Sequence, residues 1–471
     1  MKRALVALAL LLPGLAQGKG VPKTPHSPKR KAPDYGALPK SEPGRALLVV
    51  PKLVLLPPYL VWNYGIRTPL AALVTHAERK QWPTKIIDFF AFGPDRSAGI
   101  VPTALFDFGI RPSVGIFAFW NRALHRNNAA NFHFGFWGPK WLNVTANDRF
   151  RVGPDAFLTL GARFTLRPDM PFYGLGPNTI LEQRVRYTSN IKEIGIGADV
   201  TPTSDTAAAL LNEGADAPPA RLLRVLTRVG VRSADFSEGD TRGDSEGNID
   251  DPRNNRDQGL LRAASRGGIV IPPGFDRGYV APFERLEIQI DTRSRRPASQ
   301  TGFKVIGEVE HGADVRSAGG AAWIRYGGTA GAFWDVSRNR TLGVTFTGLF
   351  ADPLRGEVPF TEQVTFGGAL YMRGFLWNRL IGRSGAVATV QYNWPIWVFL
   401  DGTIQASLGN VFDAHWRDIS PRLLRFSGAI GVRTSNTPNQ AFEAMFGVGS
   451  ETAAEGMKID SFRLVIGTNQ F

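Results

Sequence analysis

From about Pro112 to its end the chain alternates with a period of two, and the two faces of each segment differ in kind: one is apolar, the other polar or glycine. Phe132, Phe134 and Phe136 share a face while His133 and Gly135 take the other. Leu158, Leu160, Ala162, Phe164 and Leu166 oppose Thr159, Gly161, Arg163 and Thr165, and Ile194, Ile196, Ala198 and Val200 oppose Glu193, Gly195, Gly197 and Asp199. A soluble sandwich alternates too, so length and charge must decide. The segments run to about ten residues, the length a tilted strand needs to cross a bilayer. Aromatic residues gather at segment ends, at Trp120, Trp137, Trp141, Tyr392 and Trp394, where an interfacial girdle belongs. The apolar faces carry almost no charge, and a cation at the midplane of a lipid-facing wall would cost about 2–4 kcal/mol. The pattern predicts an all-β chain, a transmembrane antiparallel barrel.

Counting back from the end places strands near 461–471, 440–449, 424–434, 398–410, 385–395, 340–351, 321–334, 301–312, 283–292, 219–232, 192–201, 181–190, 155–167, 141–151, 129–138 and 113–122. That is about sixteen, an even number as membrane barrels require, with Gly99 to Phe108 an alternative first strand. The insertion from about Ser233 to Ala281, rich in Asp, Arg, Gly and Asn, then falls on the outer side.

Before the strands the chain changes character three times. Residues 1–18 run from Met1-Lys2-Arg3 through an apolar core to small residues, the layout of a secretory signal peptide. Residues 19–45 are basic and rich in proline, with Lys29-Arg30-Lys31, and are expected to be a disordered leader. Residues 46–98 are expected to form short periplasmic helices near the barrel mouth, and 99–471 the barrel. Past the first twenty residues no run approaches 18 apolar positions, which excludes a bundle of membrane helices. The absence of cysteine removes disulfide scaffolds, thiol nucleophiles and cysteine-rich metal sites. The net charge of +14 suits acidic partners; because the chain is exported, lipid phosphate or anionic wall polymer is expected rather than nucleic acid, and the basic leader reads most simply as a solvated tether.

One stretch departs from the alternation. Phe366-Gly367-Gly368-Ala369-Leu370-Tyr371-Met372-Arg373-Gly374-Phe375 places an arginine among glycines and aromatics, five strands before the terminal aromatic Phe471. Arg373 has no helical pattern around it, so its side chain must find an anionic or polar partner inside whatever the strands enclose. This loop, with its spacing to Phe471, resembles the sixth extracellular loop of BamA/TamA-type outer-membrane assembly barrels, the bacterial surface antigen family, in a form without recognisable POTRA repeats. Asp291-Thr292-Arg293 before Pro297 and Gly302, and Pro171-Phe172-Tyr173-Gly174-Leu175-Gly176-Pro177, resemble other recurring segments of that family.

The resemblance implies that the loop folds into the lumen, with Gly367, Gly368, Met372, Arg373, Gly374 and Phe375 as its motif and Phe471 as an insertion signal. It also implies an acidic wall partner for Arg373. At the family's usual place this chain has Gln405, Ser407 and Gly409, so Ser407 or an inward acid such as Glu443, Glu308, Glu310, Glu287 or Asp291 should serve.

Catalytic chemistry finds little support. The six histidines show no metal-ligand spacing, and His133 and His311 each fall on a strand without a neighbouring serine that marks a dyad, so neither an enzyme nor a metal or cofactor site is expected. Arg224, Arg228 and Arg232 share one strand face and should pair with acids across the wall. The expected role is insertion or translocation of proteins or lipids at the cell outer membrane. The expected partners are outer-membrane lipid including lipopolysaccharide, client barrel proteins and a periplasmic partner. The alternatives are a passive or anion-leaning pore and a structural surface-antigen barrel.

Overall fold

The computed structural model describes residues 64, 76, 88–153, 155–201, 223–240, 258–293, 301–337, 339–396, 400–434 and 441–469. The signal peptide, the basic leader, most of the expected helical segment, the turn with Pro297, and Phe471 lie outside these residues. The chain divides into two compact units near Gly99. In the first, a short strand, Ala91–Phe92, turns through Pro94–Arg96 to pair with Ala98 and Gly99, where a helix had been expected to extend.

The second unit is a closed antiparallel barrel of 16 strands. They are β1 (Ala98–Asp107), β2 (Ser113–Asn121), β3 (Asn128–Phe136), β4 (Leu142–Arg151), β5 (Ala156–Phe172), β6 (Val185–Val200), β7 (Leu223–Glu238) and β8 (Tyr279–Asp291). They continue with β9 (Gly302–Ala313), β10 (Ala322–Ser337), β11 (Arg340–Arg355), β12 (Ser384–Pro395), β13 (Leu400–Phe412), β14 (Arg425–Thr434), β15 (Ala441–Thr452) and β16 (Ile459–Asn469). Each pairs with its sequence neighbours, and β1 closes on β16. Outward positions such as Ile194, Ile196, Val229 and Val231 are exposed and apolar, which is the lipid-facing half of the alternation.

The count of sixteen holds, but two of the expected boundaries were wrong in compensating ways. The segments 181–190 and 192–201 are one strand, β6, which pairs without interruption from Val200 to Tyr187 against β7. Its upper part rises past the lipid-facing stretch, so the apolar half of the pattern stops at Lys192 and mimics a break. The missing strand is β1, the alternative first strand. The insertion is also shorter than expected, because β7 runs on to Glu238 and β8 begins at Tyr279.

Loops after odd-numbered strands share one end of the barrel, here the odd end. The ends of β5–β8 build an aromatic core there with residues from two loops. Phe360, from the loop after β11, lies 4.9 Å from Phe236, 5.3 Å from Tyr187 and 5.7 Å from Phe172 between ring centroids, within the usual range for favourable aromatic pairs. A short helix in the β7–β8 connection, α1 (Leu260–Ser265), receives the Glu238 carboxylate on the backbone N–H of Leu261 at 2.7 Å, which satisfies a donor its own turn leaves open.

Candidate functional site

The loop after β11 enters the lumen as a small hairpin. Val364–Phe366 pairs with Leu380–Gly382, and the tip between them carries the motif. Gly367 and Gly368 have φ of 108° and 85°, a region that favours glycine, and Met372 follows at 51°. These turns let Gly367 N–H donate to Tyr371 O (3.1 Å) and Gly368 N–H to Phe375 O (2.9 Å), folding the tip on itself. Phe366, Met372 and Phe375 are buried in the core that the hairpin shares with the wall.

Arg373 Nη1 donates to Glu443 Oε2 at 2.9 Å, on the third residue of β15. Of the acids expected to serve, this is the one the structure brings to the loop arginine. The other expected anchors are committed elsewhere: Ser407 bonds Thr389 at 2.8 Å, Glu308 accepts from Arg285, and Asp291 accepts from Arg293. Ser407 lies on β13, two strands from β15, and Glu308 and Asp291 lie on β9 and β8 at the opposite side of the ring, which is why none reaches Arg373.

The hairpin tip lies directly on the backbone of β15. A Cβ on Gly374 would sit 1.8 Å from Val448 O, one on Gly447 would meet Gly374 Cα at 2.8 Å, and one on Gly449 would meet the Phe375 ring at 2.4 Å. Gly374 N–H also donates to Ser427 Oγ of β14 at 2.8 Å. Gly447 and Gly449 therefore form a slot that any side chain would fill. Sequence reasoning missed it, although two glycines at alternate positions of a strand were a visible sign.

The other end of the loop is held across the lumen. Arg232 of β7 donates to Glu362 at 2.8 and 3.0 Å and to Glu310 of β9 at 3.0 Å, and the Tyr279 hydroxyl also bonds Glu362. Glu362 is 2% exposed, so these charges are desolvated and compensate one another. The arginine stripe is wall pairing, as expected: Arg224 forks onto Asp199 at 2.8 Å, and Arg228 and Arg232 reach Glu193 at 3.0 and 2.9 Å. In a ring of 16, β7 and β15 stand eight strands apart, so the loop is a strut across the lumen with an ion pair at each end.

The segment after β5 adds a second layer. Arg379 and Arg425 both donate to Thr179 O, at 3.1 and 2.6 Å, and Gly176 N–H donates to Ile381 O at 2.8 Å. Burial, and the neighbouring Arg425 guanidinium, hold the Arg379 pKa below its usual value.

The closure of the barrel is a short joint. Among the described residues β1 pairs with β16 through Leu105, Phe106 and Asp107 against Gly467, Ile466 and Val465, and Phe108 N–H donates to Leu464 O at 2.9 Å, whereas β15 and β16 pair from Ala441 to Ser450. Gly467 has φ of 149°, and a Cβ there would lie 2.2 Å from Ala104 O. Across this seam Arg463 donates to Asp107 from Nε (2.9 Å) and Nη2 (2.6 Å), and its Nη1 donates to Gly368 O at 2.6 Å and Arg373 O at 3.3 Å.

The histidines stand apart from this arrangement. His133 lies 3.2 Å from the Thr103 hydroxyl, and His311 lies 3.5 Å from Glu284 on the outward face. Among the described residues no group of three or more metal-binding side chains is found.

No protein-family model matches the sequence, and no curated protein does. Solved structures do match. BamA from Haemophilus ducreyi lacking POTRA domains 1–3 superposes with a TM-score of 0.51 at 10% identity, over 79% of this chain and 70% of that one. CdiB from Acinetobacter baumannii gives 0.45 at 11% identity over 79% and 60%, and CdiB from Escherichia coli 0.46 at 11% over 80% and 64%. The chain has the fold of a BamA-type barrel.

Proposed function

We propose that this barrel sits in the outer membrane and acts in assembly or translocation, with the β1–β16 seam as the route by which proteins or lipids pass between lumen and membrane. The observation that carries this reading is the seam itself. A ladder this short, with a glycine at its closest approach, is a cheap place for the wall to part, and parting exposes two strand edges on which an incoming strand can pair. The lumenal strut supports the same reading over an open pore, because it crosses the space through which solutes would diffuse. The odd end, with its layered loops, then faces outward, and a periplasmic partner delivers clients.

Depletion of the protein in its own cell tests the proposal. Quantitative proteomics of the outer membrane should show a fall in other barrel proteins or a change in surface lipid. Unchanged barrels and lipid, together with slower uptake of small solutes, would sink the assembly reading and leave a passive pore.

A further inference from the structure

We propose that Arg463 is the positioning residue that makes opening of the seam and release of the lumenal loop a single event. The inference rests on reading the seam as a gate and adds the link between that gate and the loop. A guanidinium is planar, so the partner that grips one edge fixes where its remaining donors point. In Arg463 the Nε and Nη2 edge is gripped by Asp107 of β1, and this aims Nη1 at the carbonyl oxygens of Gly368 and Arg373, one on each side of the hairpin tip. Both charged side chains are buried, at 5% and 1% exposure.

Suppose β1 moves away from β16. Asp107 leaves with β1, and Arg463 is left as a buried cation without its counter-charge, a state too costly to persist. Glu443 stands on β15, the strand that β16 pairs on its other side, so it offers Arg463 a second carboxylate; it is also the partner that holds Arg373. Whether Arg463 turns to water or to Glu443, Nη1 leaves the two loop carbonyls, and in the second case Arg373 is displaced as well. The exchange runs in reverse too: a client that draws the tip from its slot strips Arg463 of two acceptors and loosens its hold on Asp107.

The chain has no cysteine, so a seam lock can be built cleanly. Phe106 and Ile466 are directly opposed across the seam and both face outward, at 45% and 42% exposure. Opposed Cα atoms of antiparallel strands sit within disulfide range. The experiment is planar-bilayer conductance of the F106C/I466C protein, oxidised and reduced, beside the same pair carrying Arg463→Gln or Asp107→Asn. With Arg463 and Asp107 intact, oxidation should cut the frequency of large, steady openings about tenfold, and reduction should restore it. With either substitution, large openings should be frequent and indifferent to oxidation.

The proposal is overturned if oxidation changes nothing in the intact protein, or if it suppresses openings equally in the substituted ones. Heat-modifiable migration on gels checks that each variant is a folded barrel, and the intact arm decides the matter even if both substituted proteins misfold. A failure of the assembly reading would appear in the depletion experiment and leave this result untouched.

Discussion

Arg373 could be singled out in the sequence because glycines and aromatics isolate it from the alternating pattern. Its partner could be narrowed only to a set of inward acids, because which of them meets the tip depends on the register of strands far apart in the chain. The missing acid on β13 is replaced from β15, where Glu443 stands beside the glycine slot that receives the tip. Asp107 and Arg463 drew no attention in the sequence for a stronger form of the same reason: they are 356 residues apart and meet only because the ring closes. Removing one partner of a buried ion pair leaves the other uncompensated, so Arg373→Ala and Glu443→Gln should each destabilise the barrel by about 3 kcal/mol. The double variant should lose little more than either single one, a shortfall in additivity that urea unfolding followed by tryptophan fluorescence would measure. Fully additive losses would mean that the 2.9 Å contact contributes nothing of its own.

At the scale of the strand, the period-two pattern located the membrane-crossing parts well and the ends poorly. β5 to β7 run 16 or 17 residues, longer than a bilayer needs, and their upper ends obey the demands of an aromatic core rather than those of lipid. The lipid-facing code is silent there, which is why β6 looked like two strands and the insertion before β8 looked longer than it is. The seam could not be read in the sequence, since a short ladder leaves no mark on either strand's own residues. Amide hydrogen exchange should make it visible: Leu105 to Phe108 and Leu464 to Gly467 should exchange faster than the paired residues of β6 and β7, because their ladder is the shorter. Gly467→Ala should accelerate that exchange further, since its Cβ would meet Ala104 O. Protection at the seam equal to that of β6, or no response to Gly467→Ala, would count against a weak joint.

For the whole molecule, the sequence indicated a polar interior and a loop within it, but not that the loop is fastened at both ends. The second fastening needs Glu362, which stands eleven positions before Arg373 outside the motif, and Arg232, which had been assigned to wall pairing. Arg232 does both, serving Glu193 of the wall and Glu362 of the loop. Glu362→Gln should therefore free one end of the strut while leaving the motif seated, and planar-bilayer recordings should show longer openings than the unsubstituted protein, with a smaller change than Arg373→Ala produces. Openings unchanged from those of the unsubstituted protein would mean that the tie to β7 carries no share of the restraint. The fastening also determines which part of the wall is free to swing. While the tip is seated, the strut and the run of strands from β7 to β15 form a closed frame. Outside that frame stand β16 and β1 to β6, of which β1 to β4 are only 9 or 10 residues long. If the seam is the route proposed above, a molecule braced in this way opens like a door rather than dilating like an iris, and the width of the doorway is set by the four short strands on one side of the frame.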